Sequence, residues 1–336
     1  MSRLPAPAFI DRFRKTGTDM NHLFASVRPE SLRRTFPVLL LAVLCVAFSI
    51  SSPRFLTMGN GVIVLQQAVV LAVAALGMTF VVIAGSIDLS VGSIVALSAL
   101  AAAATSGSLG IFAIVPAALV GLVCGLVNGI VVAKGLVPSF IVTLGTMVVY
   151  RGIVLYFTRG APVSIESESF LDFYAGRFAG VPNAIWIALA VVILGWIALS
   201  FTVFARELKA TGGGERVARL TGIRIDKVKI AMFALLGLLC GIAGLLQSAR
   251  AMAATSQLGE GLELDVIAAV VVGGTPLTGG LGSIQGTILG VLIITILSNG
   301  MNMAGVDPYL QNIVKGVVLI VAVFVTIDRK KIGIIK

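Results

Sequence analysis

The chain has 336 residues, of which 58% are hydrophobic and only 12% are charged, and its mean hydropathy is +1.06. Because a soluble domain carries about 25% charged residues, this composition excludes a soluble globular enzyme, a disordered chain and a disulfide scaffold. The apolar residues are numerous enough for about ten membrane spans of roughly 20 residues each. The composition therefore predicts an all-α polytopic membrane protein.

The basic residues behind the net charge of +10 are concentrated in three polar stretches. These stretches lie before Phe36, between Arg206 and Lys229, and from Arg329 onward. Such clustering is typical of cytoplasmic segments, and without interleaved stacking aromatics it does not indicate a nucleic-acid partner. The predicted organisation is a cytoplasmic N-terminal segment 1–35, a single transmembrane domain 36–327 with a cytoplasmic loop 206–229, and a cytoplasmic tail 328–336.

Residue types that supply catalysis or metal binding are scarce. His22, the single histidine, lies in the polar N-terminal segment. The three cysteines, Cys45, Cys124 and Cys240, lie singly in apolar runs without metal-ligand spacing. We therefore expect no catalytic residue, no bound metal and no cofactor.

Long gaps between charged residues, divided by glycine, proline and polar clusters, predict about ten transmembrane helices. The predicted helices span 36–52, 60–84, 90–106, 111–133, 138–157, 183–205, 228–250, 264–274, 283–302 and 310–327. An even number of crossings places both termini on the cytoplasmic side. The helix 264–274 is too short to cross alone, and if both it and 90–106 are re-entrant, about eight crossings remain.

Two smaller features concern the loops and the helix faces. The segment 158–182 has no basic excess and contains several aromatic residues, which predicts a short amphipathic piece at the outer interface. Glycine recurs at four-residue spacing inside the helices, as at Gly121 and Gly125 and at Gly237 and Gly241. This spacing predicts close packing of helix backbones.

Two stretches repeat a pattern in which glycine and hydroxyl residues interrupt an apolar run. Residues 84–94 and 273–284 each resume a helix after Gly-Ser-Ile, and the two Gly-Ser pairs are 190 positions apart. The pattern predicts two related halves with helices broken near 85–93 and 274–283. Broken helices at corresponding places are typical of transport sites, since unwound backbone is tolerated at depth only beside a cavity or buried protein. Tight turns at the membrane edge explain the pattern equally well.

Asp88 is the one charged residue between Arg54 and Lys134. At the membrane centre its carboxylate would cost about 2.5–3.5 kcal/mol. Near the interface it would instead shape the loop and, with Ser90, cap the following helix. The structural role is favoured over a proton relay, because no other ionisable residue lies in the nearby spans.

The cytoplasmic loop carries a pattern that predicts a short helix. Glycines 212–214 break the chain, Glu215–Leu220 form the helix, and Gly222 ends it. Its apolar residues, expected on one side, are Val217, Ala218, Leu220 and Ile223. Such a helix either docks in a groove of a partner protein or skims the lipid headgroups.

Motifs in order along the chain resemble one transporter family. They are Ala75–Thr79, Gly85–Ser93, Pro138–Thr146, Tyr150–Gly152, Ala218–Ile223, Glu263–Ala269, Gly273–Thr275, Gly279–Gly280 and Asn299–Asn302. The chain is similar to the permease subunits of ATP-binding-cassette importers for monosaccharides, the ribose, xylose, galactose and arabinose group. Departures from the family pattern are confined to loops, at Gly214, Pro276 and Leu281.

The resemblance implies a permease of the inner membrane with several partners. These are a second permease copy, identical or paralogous, a cytoplasmic ATPase subunit, a periplasmic sugar-binding protein and the surrounding lipid. It also implies that the cytoplasmic helix is a coupling helix seated on the ATPase, with contacts from Gly213, Glu215, Arg216, Ala218, Arg219 and Gly222. The sequence has no phosphate-binding loop motif, so ATP would be hydrolysed by another chain.

Polar side chains in the spans are candidates for the substrate pathway, because sugar hydroxyls need donors and acceptors. The candidates are Gln66, Gln67, Asp88, Ser90, Asn128, Thr143, Asn299 and Asn302, with Ser139 as a further polar residue. For each uncharged one taken alone, hydrogen bonding between helices is the favoured role. Glu263 and Asp265 are expected at the outer mouth.

The sequence as a whole predicts a monosaccharide permease without its own ATPase. One alternative is the same architecture serving a nucleoside or a branched-chain amino acid. Another is a stand-alone secondary transporter, against which the shortage of intramembrane ionisable groups argues. A membrane enzyme would need a nucleophile, an acid/base pair or a metal set within the spans, and the sequence offers none.

Overall fold

The computed structural model describes residues 29–326, with side chains from Thr35 to Phe324. His22, most of the N-terminal segment and the tail 328–336 lie outside the described residues. The helices are α1 (Pro29–Ser51), α2 (Met58–Ile83), α3 (Val91–Leu109), α4 (Ile114–Gly135), α5 (Ser139–Thr158), α6 (Glu168–Tyr174), α7 (Asn183–Phe201), α8 (Val203–Gly213), α9 (Glu215–Leu220), α10 (Ile225–Ala251), α11 (Leu262–Val272), α12 (Ile284–Met303) and α13 (Pro308–Thr326).

Four two-residue strands lie in the connections between helices. They are β1 (Val163–Ser164), β2 (Arg177–Phe178), β3 (Val181–Pro182) and β4 (Ala253–Ala254). The antiparallel pair β1–β4 joins the loop after α5 to the loop after α10, and β2 pairs with β3 just before α7. A 3₁₀ turn, Gly110–Ala113, links α3 to α4.

Each of the ten helices predicted from the sequence coincides with a helix of the structure, namely α1 to α5, α7 and α10 to α13. Among the described residues, six helical stretches are long and apolar enough to cross a membrane, and one of them comprises α3 and α4 together. The prediction of an all-α polytopic membrane protein is confirmed. The number of crossings stays a prediction.

The predicted helix 183–205 is wrong over its last residues, where the structure has two helices. Thr202 adopts an extended backbone with φ −95° and ψ 156°, which ends α7. Its Oγ1 accepts a hydrogen bond of 3.2 Å from the backbone N–H of Ala205. A threonine that caps a helix N-terminus in this way starts a new helix, α8, in a new direction.

The amphipathic piece expected within 158–182 is α6, but two of its aromatic rings face inward. Phe170 is fully buried, and the hydroxyl of Tyr174 donates a 2.7 Å hydrogen bond to the carbonyl oxygen of Ile111. Phe173 and Phe178 remain exposed. Helix α6 is therefore packed against the helical core through Phe170 and Tyr174, whereas the rings of Phe173 and Phe178 stay on the surface.

The centre of the bundle is α10, which packs antiparallel against α4. A Cβ atom at Gly237 would overlap the carbonyl oxygen of Gly121, and one at Gly125 would overlap that of Phe233. The two backbones are thus in direct contact, as the glycine spacing predicts. Because Gly129 lies against Ile230, the end of α4 and the start of α10 are neighbours.

The two ends of the bundle carry different chemistry. At one end, named here the loop end, the C-termini of α2 and α4 and the N-terminus of α10 lie beside α8 and α9. At the other, named the cavity end, the N-terminal parts of α2, α11 and α13 and the C-terminal parts of α10 and α12 surround a polar cavity. Both ends bear on function.

Candidate functional site

The first broken helix is held open by side chains of α5. After α2 ends at Ile83, residues 84–90 form a non-helical segment until α3 begins at Val91. The N–H of Ile87 donates to Ser139 Oγ (3.1 Å), and the N–H of Leu89 donates to Thr143 Oγ1 (3.0 Å). Hydroxyl groups one helical turn apart therefore satisfy the unwound backbone, as a low-dielectric environment requires.

Asp88 forms the centre of a buried hydrogen-bond network. Its carboxylate accepts hydrogen bonds from Ser90 N (2.7 Å), Ser90 Oγ (2.6 Å) and Asn128 Nδ2 (3.1 Å). The hydroxyl of Tyr150 in turn donates to Asn128 Oδ1 (3.1 Å). Asp88, Ser90 and Asn128 have no solvent-exposed surface.

The position of this network bears on the choice between a deep break and a turn at the membrane edge. Asn128 lies seven residues before the last residue of α4, Gly135, or about 10 Å along the helix axis. Tyr150 lies past the middle of α5. Asp88 is thus buried well inside the bundle, where Ser139 and Thr143 hold the segment against α5, and the depth of the break in the membrane stays a prediction.

The second broken helix meets the first. Between α11 and α12 the chain turns through Gly274, Gly279 and Gly280, all with positive φ. The N–H of Gly280 donates a 2.8 Å hydrogen bond to the carbonyl oxygen of Ile83. A Cβ atom at Gly279 would lie only 2.8 Å from the backbone nitrogen of Gly85. The two echoing stretches of sequence are therefore in backbone contact.

The C-terminal part of α8 rests on this contact. A Cβ atom at Gly212 would overlap the carbonyl oxygen of Ile83 and lie 2.6 Å from the nitrogen of Gly280. The Cα of Gly213 lies 3.3 Å from where a Cβ on Gly280 would be. One segment thus touches both broken helices, and only glycine fits between them.

The short helix predicted at Glu215–Leu220 is confirmed as α9, and Gly222, with φ +87°, follows its end. Its apolar residues do not share one side, contrary to expectation. Ala218 is 3% exposed, whereas Val217 and Leu220 are 67% and 82% exposed. Residues 217 and 220 lie on one face at helical spacing and 218 on another, so the apolar exposed face is narrower than predicted.

Ion pairs fix α9 to the start of α10. Lys229 Nζ lies 2.6 Å from a carboxylate oxygen of Glu215, and Arg219 lies 4.0 Å from Asp226. Gly213, Glu215, Arg216 and Arg219 are exposed. The basic and apolar groups of the loop are thus displayed on a small, anchored surface.

The cavity end holds a polar cavity of about 270 Å³. Its polar and charged lining residues are Gln67, Gln247, Arg250, Glu260, Asp265, Thr295, Ser298, Asn302 and Lys315. Lys315 Nζ and Asp265 Oδ2 are 2.8 Å apart across its wall. Arg250 also lines a smaller neighbouring cavity of about 180 Å³ with Gln66. Hydrogen-bond donors and acceptors thus converge in an otherwise apolar bundle.

The candidate pathway residues separate into three groups in the structure. Gln66, Gln67 and Asn302 line the two cavities. Asp88, Ser90, Asn128 and Thr143 belong to the buried network and the first break. Asn299 exchanges reciprocal amide hydrogen bonds of 3.0 and 3.1 Å with Asn60, which ties α12 to α2. Their roles in transport stay predictions.

Sequence reasoning missed Gln247, Arg250 and Lys315 as cavity residues. Arg250 ends the predicted helix 228–250, whereas Gln247 and Lys315 lie inside predicted helices, so hydropathy gave no sign that the three share one location. The available signal was that Arg250 ends one predicted span while Asp265 and Lys315 lie at the outer part of two others. Among the described residues, no group of three or more His, Cys, Asp or Glu side chains is arranged to hold a metal ion.

Two broken helices in contact, a polar cavity at one end and an anchored basic loop at the other define a polytopic helical transport protein. Residues 60–323 match the family described as "Branched-chain amino acid transport system / permease component". The chain belongs to this permease family and is a transport subunit rather than an enzyme.

Curated relatives cover most of the chain. The ribose import permease protein RbsC of Escherichia coli (strain K12) is 43% identical over 297 residues, 87% of this chain and 92% of that protein. The protein of the same name from Bacillus subtilis (strain 168) is 43% identical over 305 residues, 89% and 94% of the two chains. The L-arabinose transport system permease protein AraH of E. coli is 36% identical over 306 residues, 88% and 90%. The predicted resemblance to sugar permeases is confirmed. No solved structure matches the chain.

Proposed function

We propose that this chain conducts a monosaccharide, with D-ribose as the first candidate, through the inner membrane as the permease of an ATP-driven importer. The observation that carries the proposal is the polar cavity at the end of the bundle opposite the basic loop. A sugar offers many hydroxyl groups, and a pocket with several convergent donors and acceptors suits it. The names of the relatives, ribose and L-arabinose permeases, point to the same class of solute.

The distribution of charge supports one orientation in the membrane. The loop end carries Lys134 and the basic residues between Arg206 and Lys229, which favours the cytoplasm. The cavity end then faces outward, toward a periplasmic sugar-binding protein that would deliver the solute. In this arrangement both termini are cytoplasmic and ten segments cross, with the short α11 completed by the unwound segment 273–283.

The loop end is the proposed seat of the ATPase. The exposed pair Val217 and Leu220 provides an apolar contact surrounded by cations, which suits a groove on a partner protein better than lipid headgroups alone. Because α8 also touches both broken helices through Gly212, movement of the ATPase would reach both of them directly. A second permease copy, identical or paralogous, would complete the importer.

A branched-chain amino acid is the second candidate solute. The family description names this class, and the cavity contains both a guanidinium, from Arg250, and the carboxylates of Glu260 and Asp265. Opposite charges lining one cavity would suit the carboxylate and ammonium of an amino acid.

Uptake by the reconstituted importer separates these candidates. The chain would be placed in vesicles with its ATPase and binding protein, with ATP on the ATPase side and radiolabelled D-ribose, L-leucine or adenosine on the other. Ribose accumulation that requires ATP supports the proposal, and leucine accumulation without ribose accumulation supports the second candidate. Accumulation with the ATPase omitted would instead indicate a stand-alone secondary transporter.

A further inference from the structure

Three charged side chains, Glu260, Asp265 and Lys315, line both the polar cavity and a second space. This second space is a cavity of about 500 Å³ in the groove between α11 and α13. The 2.8 Å contact between Lys315 and Asp265 forms part of the wall that separates the two, and each side chain of the pair is about a quarter exposed. The wall is therefore partly accessible rather than sealed by packing.

The Asp265–Lys315 ion pair joins two helices of the membrane domain, where contacts that serve only packing are usually apolar. Lys315 is the one charged residue between Asp307 and Asp328, in a helix of otherwise uncharged and mostly apolar residues. Ionisable groups within spans are costly and mark functional sites, and a buried ion pair is often replaceable by apolar side chains without loss of stability. Packing of α11 on α13 alone would not call for Asp265 and Lys315.

We propose that the groove between α11 and α13 is a second chamber for the solute and that the Asp265–Lys315 pair is the gate leading to it from the polar cavity. The solute class is a neutral polyhydroxyl compound, and this step rests on the proposed function. A sugar hydroxyl donates to a carboxylate and accepts from an ammonium group. A sugar can therefore replace the bond between the two charges with bonds of its own and leave neither charge unpaired.

This exchange explains why an ion pair suits such a gate. An apolar solute offers the separated charges no partners, and an unpaired charge held largely out of water is costly. A singly charged solute pairs with one member and repels the other. Beyond the gate, the groove combines the polar Asn312 with the apolar side chains of Leu264 and Leu319, which matches a sugar's hydroxyl groups and its C–H faces.

The first test compares variants of the gate in the reconstituted importer with D-ribose. The double variant Asp265→Leu/Lys315→Met removes both charges together, so that insertion and thermal stability are retained, and uptake falls about tenfold or more. Lys315→Arg keeps the pair and most of the uptake. Asp172→Asn, an exposed carboxylate on α6 outside both cavities, is the matched control. Wild-type uptake by the stable double variant would overturn the gate.

A second test leaves the gate intact. In a variant with Cys45, Cys124 and Cys240 replaced by alanine, Asn312→Cys places a thiol in the groove, and a small water-soluble thiol reagent reports its accessibility. D-Ribose slows the modification there but not at Met58→Cys, which is 88% exposed and lies outside the groove. Equal rates with and without ribose, in an importer that takes up ribose, overturn the chamber. A failure of ribose uptake by the wild-type importer instead contradicts the proposed function.

Discussion

The backbone N–H of Gly280 donates a 2.8 Å hydrogen bond to the carbonyl oxygen of Ile83. This bond joins the break that follows α11 to the end of α2, where the other break begins. The N–H and C=O groups released by two broken helices thus partly satisfy each other. Gly212, near the end of α8, packs against both Ile83 and Gly280. The two halves of the chain and the loop end are therefore in contact with one another at this hydrogen bond.

Gly212→Ala should separate ATP hydrolysis from transport. The added methyl group overlaps the carbonyl oxygen of Ile83, and relief of such overpacking costs about 1–3 kcal/mol. We expect α8 to shift away from the breaks, ATPase activity to persist and uptake to fall about tenfold. Gly145→Ala on α5, where the added Cβ meets nothing within 4 Å, should leave both activities unchanged. Equal uptake in both variants would contradict a mechanical role for the contact between Gly212 and the two breaks.

Asp88→Asn should act on stability rather than on proton coupling. The new amide would face the Nδ2 group of Asn128, so two donors meet where a donor and an acceptor met. A mismatch in a buried network costs about 1–3 kcal/mol, which should lower the thermal stability of the purified protein. Uptake per folded molecule should keep its pH profile between about pH 6 and 8. A flattened profile in the variant would point to a proton relay.

Leu220→Glu should weaken binding of the ATPase without disturbing the fold. Leu220 is 82% exposed, so an acidic side chain there removes apolar contact with a partner at little cost to the permease. We expect affinity to fall about tenfold in a solubilised binding measurement. Met58→Glu, equally exposed at the other end of the bundle, is the control. Ala218 is a poor choice for this test, because it is buried and its replacement would perturb packing. Unchanged affinity would favour a loop that only contacts lipid headgroups.

Gln67→Leu should impair solute handling, since it removes one donor and one acceptor from the polar cavity. The leucine side chain has a similar volume, so insertion should be normal while the KM for ribose uptake rises about tenfold. The matched control is Gln285→Leu, on the apolar side of α12 beside Trp196 and outside the polar cavity. If the two variants behave alike, the cavity is not on the solute route.

The sequence by itself determined the helices and the positions at which they break. Uncharged apolar runs predicted the ten helices to within about four residues, except that α1 begins at Pro29 rather than at residue 36. Gly-rich stretches predicted both breaks and the helix Glu215–Leu220. These features are local, because hydropathy, glycine and proline act on their own segment of chain. Thr202 was missed because a threonine inside an apolar run caps a helix only if the chain turns there.

The tertiary structure alone decided which residues meet. Asp88 lacks an ionisable partner in sequence, yet Asn128, Ser90 and, through Asn128, Tyr150 surround it, so its burial in a hydrogen-bond network is visible only in the folded chain. The cavity likewise takes residues from five helices whose ends meet only in space. Contacts between distant segments depend on helix packing, which one-dimensional patterns of hydropathy do not encode. The chemistry of a site depends on these contacts, so only the tertiary structure could decide it.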